Sequence, residues 1–119
     1  MSQFMRQRAI VYEIKVGSTN ALQFNVYDDT GTTLQNLNNT STYATGKLKV
    51  WKPDGTLVID GALTFTDRAN GLVTYAVSTS DSVAANAGKW EGEIELKSSD
   101  GTTITLQSET FTFIIRNSY

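Results

Sequence analysis

The sequence predicts an all-β fold, an immunoglobulin-like two-sheet β-sandwich of seven to eight antiparallel strands. Three observations carry that prediction. Apolar residues alternate with polar ones at period two in one segment after another, which turns one face of each strand toward a core. Turn residues rich in Gly, Asp and Asn separate those segments at short, regular spacing. The one stretch of helical character, SDSVAANAG at residues 80–88, is long enough for a single turn.

Taken in order, Ile10, Tyr12, Ile14 and Val16 alternate with Val11, Glu13 and Lys15, and Gly17-Ser18-Thr19-Asn20 breaks the run. Leu22, Phe24 and Val26 resume it against Gln23 and Asn25, as far as Asp28-Asp29-Thr30-Gly31, a turn composition whose glycine tolerates positive φ. Residues 32–45 are rich in Thr, Asn and Ser with Leu34 and Leu37 as apolar anchors, a loop or a short edge strand. Leu48 and Val50 then face inward, with Lys47, Lys49 and Trp51 outward. Proline presets φ at the second position of Lys52-Pro53-Asp54-Gly55, so that corner returns the chain into Leu57, Ile59, Leu63 and Phe65.

Asn70-Gly71 marks the next turn, ahead of Val73, Tyr75 and Val77. In the short helical stretch, Ser80 or Asp81 is the capping residue. Trp90, Gly92, Ile94 and Leu96 follow as an inward face opposite Lys89, Glu91, Glu93, Glu95 and Lys97, the cleanest alternation in the chain. Asp100-Gly101 turns it into Ile104 and Leu106, and Phe111, Phe113 and Ile115 close the domain. Ala87-Gly88-Lys89-Trp90 matches the corner entering the sixth strand of many such sandwiches, with Trp90 as the aromatic that packs into the core.

A length of 119 residues suits one domain around one core. We assign it to residues 9–119, and residues 1–8, MSQFMRQR, to an N-terminal arm too polar to join that core. Ten Lys plus Arg against twelve Asp plus Glu leave a net charge of -2, a poor field for phosphate backbones or anionic lipid, so neither nucleic acid nor membrane is expected as a partner. With neither histidine nor cysteine, the chain has no disulfide, no thiolate zinc site and no cysteine nucleophile. The first residues lack the roughly 7 to 15 apolar positions of a signal-peptide core, which predicts a protein made and used without its own export signal.

Each candidate chemical constellation has a plainer counterpart. Asp29-Thr30-Gly31-Thr32 spells an aspartic-protease loop, yet Tyr27-Asp28 precedes it and no late apolar-apolar-Gly motif follows, so an Asp-rich turn explains the letters. Glu91, Glu93 and Glu95 sit at successive same-face positions, about 7 Å apart. That spacing suits paired carboxylates, but alternation puts all three on the solvent face between Lys89 and Lys97. Asp28, Asp29, Asp54, Asp67, Asp81 and Asp100 fall in turns where Asp serves its own backbone, and no calcium loop is present. The sequons in Asn38-Asn39-Thr40-Ser41 read as loop polarity. No residue is assigned to catalysis, a cofactor or a metal.

Trp51 is a large aromatic on an outward face beside Lys47 and Lys49; a covering loop or strand and a partner surface are its two readings. Tyr43 and Tyr119 are weaker candidates for partner contact. In the arm, Phe4 and Met5 would anchor on a neighbouring subunit, with Arg6 and Arg8 meeting acidic partners; a frayed terminus is the alternative.

From Gly17 to Ile115 the order of pieces resembles the N-terminal domain of the phage baseplate upper protein family. The pieces are the strand pair ending in D-x-x-G, KPDGT at 52–56, TDRANGLVTYAV at 66–77, AGKWEGEIEL at 87–96, the Asp100-Gly101 turn and ETFTFII at 109–115. The resemblance implies an immunoglobulin-like domain that attaches a peripheral component to the central hub of a siphophage baseplate. Family members continue into a helical, trimer-forming segment; with Tyr119 last here, the expectation is a free-standing sandwich docking on a larger virion lattice.

The reading is therefore a non-enzymatic bacteriophage virion structural protein, a tail or baseplate adaptor assembled in the host bacterial cytoplasm. Its partners would be other virion proteins, at the tail or baseplate hub or on the capsid lattice, and further copies of itself. A capsid decoration (auxiliary head) protein is the alternative of the same class. A carbohydrate-binding module, with Trp51 and Tyr43 as stacking platforms, is the alternative of another.

Overall fold

A computed structural model describes the backbone of residues 3–5, 11–17, 19–28, 33–108 and 110–117, with side chains from Val11 onward within those ranges. Among these residues ten strands form two sheets. They are β1 (Gln3–Met5), β2 (Val11–Lys15), β3 (Ala21–Asn25), β4 (Thr45–Trp51), β5 (Leu57–Ala62), β6 (Thr64–Asp67), β7 (Leu72–Ala76), β8 (Gly88–Lys97), β9 (Ile104–Ser108) and β10 (Phe111–Arg116). The fold is the all-β sandwich that the alternation predicts; residues 84–86 make a short turn of 3-10 helix in the stretch where one was expected, and Arg68–Asn70 make another.

β8 is the spine of the larger sheet. On one side it pairs with β4 from Glu91 to Lys97, and β4 pairs with β5 at the edge. Its other side is shared between β10, opposite Gly88 to Gly92, and β9, opposite Glu95 to Lys97. Where β9 gives way to β10 the ladder is interrupted, and Ser108 Oγ there accepts the buried Ile94 N–H at 2.8 Å. The smaller sheet runs β3-β7-β6, all antiparallel.

Two pairings depart from the antiparallel expectation. β2 runs parallel to β10, with Ile14 opposite Ile115, and β1 runs parallel to β9, with Phe4 opposite Gln107. A period of two reads the same in either direction, so alternation is blind to this choice. Within the expected arm, the backbone of Gln3–Met5 runs beside β9 and extends the domain's own sheet. Arg6 and Arg8 lie outside the described residues.

Between the sheets Phe24, Leu48, Val50, Val73, Ile94 and Phe113 are fully buried. Tyr12 packs its ring 4.7 Å from Phe24 and 4.8 Å from Phe111, tying β2, β3 and β10 together. Leu63 is buried where the chain leaves β5 in one sheet for β6 in the other, which is why the run predicted through Leu57 to Phe65 is two strands. At the Lys52-Pro53-Asp54-Gly55 corner the Gly55 N–H donates to Lys52 O at 2.8 Å, and Asp54 Oδ1 accepts from Thr56 N–H at 2.8 Å, as the turn composition requires.

The polar stretch after β3 is held by the turn that joins β6 to β7 in the same sheet. Leu37 is fully buried, as an anchor should be, whereas Leu34 is exposed. Arg68 Nη1 donates to the carbonyls of Leu37 at 3.0 Å and Tyr43 at 2.9 Å, with its guanidinium 3.9 Å above the Phe65 ring. Hydrogen bonds from a charged donor contribute about 1.5–3 kcal/mol. Arg68→Ala should therefore lower stability by about 3 kcal/mol in urea unfolding, with amide exchange rising first around residues 36–44. Equal protection there in the variant would show that the loop is held by other means.

At the opposite end, the Tyr75 O–H donates to Asp81 Oδ2 at 2.5 Å. Burial, and then the neighbouring carboxylate, push the Tyr75 phenol above its ordinary value. A raised folded-state value favours the neutral phenol in the fold. Its contribution is thus full below about pH 10 and is lost as pH climbs through the folded value. Stability should fall above pH 10, and Tyr75→Phe should flatten that fall; an unchanged slope in the phenylalanine variant would assign it to other groups.

Candidate interaction surfaces

The outer face of the larger sheet bears a lattice of paired charges. Register sets Lys47 beside Glu95, and Lys49 beside Glu93. Lys49 Nζ lies 3.2 Å and Lys97 Nζ 3.8 Å from Glu95 Oε1, while Lys47 pairs with Asp60 on β5 at 3.3 Å. Gln107 Nε2 on β9 donates to Glu93 Oε1 at 2.8 Å.

This lattice corrects the reading of three solvated glutamates. Glu91 is exposed, Glu93 half-buried and Glu95 only 3% exposed. Alternation gave the right face for Glu95, but β8 is flanked on both sides at that level, by β4 and by β9, and the neighbouring long side chains close over it. Its Oε1 makes no well-directed hydrogen bond and is compensated by the two ammonium groups. A carboxylate locked in this way is structural; Glu91 and Glu93 are the two that face outward to solvent.

Trp51 sits half-buried at the end of β4, where the ladder to β5 shifts register and sets it opposite Leu57. Leu57 is 51% exposed. The two form a small apolar rim at the β5 edge, and Leu57 is the member that alternation had assigned to the core.

Tyr43 requires a correction. It is buried among the core residues, burial raises its phenol above the ordinary value, and it is not a surface platform. The polar letters around it hid this, because the burial depends on Arg68 drawing the loop inward from a distance of 25 residues.

Asp54, Asp67, Asp81 and Asp100 each accept a hydrogen bond from within their own corner. Asp100 Oδ1 accepts from Ser98 Oγ and the N–H groups of Thr102 and Thr103, each at 2.8 Å, and the Thr103 hydroxyl, followed by these others, holds its carboxyl well below the usual range. Among the described residues, no group of three or more acidic residues is arranged to hold a metal ion, and no helix is long and apolar enough to cross a membrane. Asp29 and Tyr119 lie outside the described residues.

At the β2 edge, Glu13 accepts a two-pronged ion pair from Arg116 on β10, at 2.5 and 3.3 Å, and Arg116 is the main reason that its carboxyl sits below the ordinary value. Val11 on the same strand is 56% exposed. Alternation set both opposite the core-facing Tyr12 and Ile14, but sequence reasoning named neither as a contact residue.

No family model and no curated protein matches the sequence. Among solved structures, the N-terminal domain of phage TP901-1 ORF48 superposes with a TM-score of 0.69 at 12% identity, covering 97% of this chain and 94% of that one. What is shared is the fold. CopC from Methylosinus trichosporium OB3b gives a TM-score of 0.54 at 14% identity, over 98% of this chain and 96% of that one. At these identities the likeness is one of architecture, and it runs the whole length of the domain in both cases.

Proposed function

We propose that the chain is a non-enzymatic structural protein of a bacteriophage virion, a tail or baseplate adaptor that docks as a rigid sandwich on a larger assembly. The observation that carries this reading is the likeness in fold to a phage domain over 97% of this chain and 94% of that one. The surface supports it. Asp54 and Asp100 serve their own turns, Asp60 and Glu95 are ion-paired, and what the domain offers outward is sheet edges and a charge-patterned face suited to protein contact. Burial of Tyr43 leaves the carbohydrate-binding alternative with Trp51 alone.

Mass spectrometry of gradient-purified phage particles, from a host carrying the gene, tests the reading. The chain should be recovered at a fixed ratio to known virion proteins through successive gradients. Loss during purification, with the protein left in the lysate, would remove the virion role.

A further inference from the structure

We infer that β2 is a self-association edge. Two copies pair β2 with β2 in antiparallel fashion about a twofold axis at Ile14, joining their larger sheets into one. This goes beyond the virion reading and is independent of where in a particle the protein sits.

β2 stands at the end of the larger sheet, with β10 as its one strand neighbour among the described residues. It runs in unbroken register from Val11 to Lys15. The other edges differ: β5 and β6 carry register shifts, β1 has three residues, and β3 exposes Ala21, Gln23 and Asn25, none of them charged or bulky apolar. Val16 N–H donates to Arg116 O at 2.8 Å, so the even-numbered residues point their backbone groups toward β10. By alternation, Glu13 and Lys15 turn their N–H and C=O groups to the open side.

An axis at Ile14 then places Glu13 of one copy opposite Lys15 of the other, and the reverse, as hydrogen-bonded pairs with Cα atoms about 5.5 Å apart. Opposite charges directly across a ladder are stabilising. Glu13 keeps Arg116 on its inner side and gains an ammonium on its outer side. The ladder ends at these pairs, because Gly17, which would come opposite Val11, lies beyond the strand at φ +88° with its N–H given to Ser82 O at 2.8 Å. Moving the axis to Glu13 would oppose two carboxylates, and moving it to Lys15 two ammonium groups. Both halves of the charge match lie on one strand, which identifies the occupant as a second copy of this chain.

The test uses light scattering on the purified chain over a concentration series at low and high salt, with a crosslinking arm that exploits the absence of native cysteine. The wild type should pass from one chain mass to two, with salt weakening the dimer several-fold. Lys15→Glu should weaken it roughly tenfold or more, while Lys89→Glu, away from the edge, leaves it unchanged. Glu13→Cys mixed with Lys15→Cys should give a disulfide-linked dimer in preference to either variant alone, since only the mixed pair falls within the roughly 7 Å Cα limit. A wild type that stays monomeric throughout, equal weakening by Lys15→Glu and Lys89→Glu, or indiscriminate crosslinking would each overturn the inference.

Discussion

Glu95→Lys is expected to lower the unfolding free energy by about 3–5 kcal/mol, the range for breaking a buried ion pair. The substitution sets a third ammonium beside those of Lys49 and Lys97 at a position 3% exposed, where water cannot screen the repulsion. Glu95→Leu should cost less than about 1 kcal/mol, because an apolar side chain of similar size removes the desolvation penalty along with the attraction. Urea unfolding of the two variants, with slopes compared to exclude a change in the unfolded state, decides the matter. If lysine proved as harmless as leucine, the side chain would be solvated and the three-glutamate row would be what alternation alone suggests.

Gly71→Ala should be the most damaging of the glycine changes, at about 3 kcal/mol or more. The residue has φ +66°, where an L side chain costs about 1–2 kcal/mol. A Cβ there would also lie 2.6 Å from Val26 O and 2.7 Å from Gln35 O, both backbone atoms. Those carbonyls belong to the crossing where the end of β3, the polar loop and the turn before β7 meet: Val26 N–H donates to Gly71 O, and Gln35 N–H to Val26 O. Gly101→Ala is the comparison, since Gly101 has φ +77° and open space around it. It should cost only the conformational part, about 1–2 kcal/mol. Thermal or urea unfolding of both variants checks the difference; equal costs would mean that the crossing at Gly71 yields easily.

The turns were legible because each is written in a few adjacent letters. Lys52-Pro53-Asp54-Gly55, Asn70-Gly71 and Asp100-Gly101 carry their own geometry, and the glycines take the positive φ that their places require. The core was legible for a similar reason, since alternation names Phe24, Leu48, Val50, Ile94 and Phe113 without knowing their partners. What escaped depends on lateral neighbours. Nothing in β8 alone says that Glu95 will be flanked on both sides, and nothing in residues 32–45 announces that Arg68 will reach across to bury Tyr43. The parallel run of β2 beside β10 is set by which end of the sheet the chain enters, a property of the whole topology. For interaction the sequence offered Trp51, which does remain half-exposed, but it passed over the Leu57 beside it because the register shift that turns Leu57 outward leaves no local mark.

The central claim is a place in a phage particle, and immunogold labelling of purified virions tests it most directly. An antibody raised against this domain should decorate intact particles at the tail end, in a fixed position from one particle to the next. Label on the capsid shell would keep the virion role and replace the adaptor by a decoration protein. Particles without label, beside denatured particles that also show no reactive chain, would contradict the account.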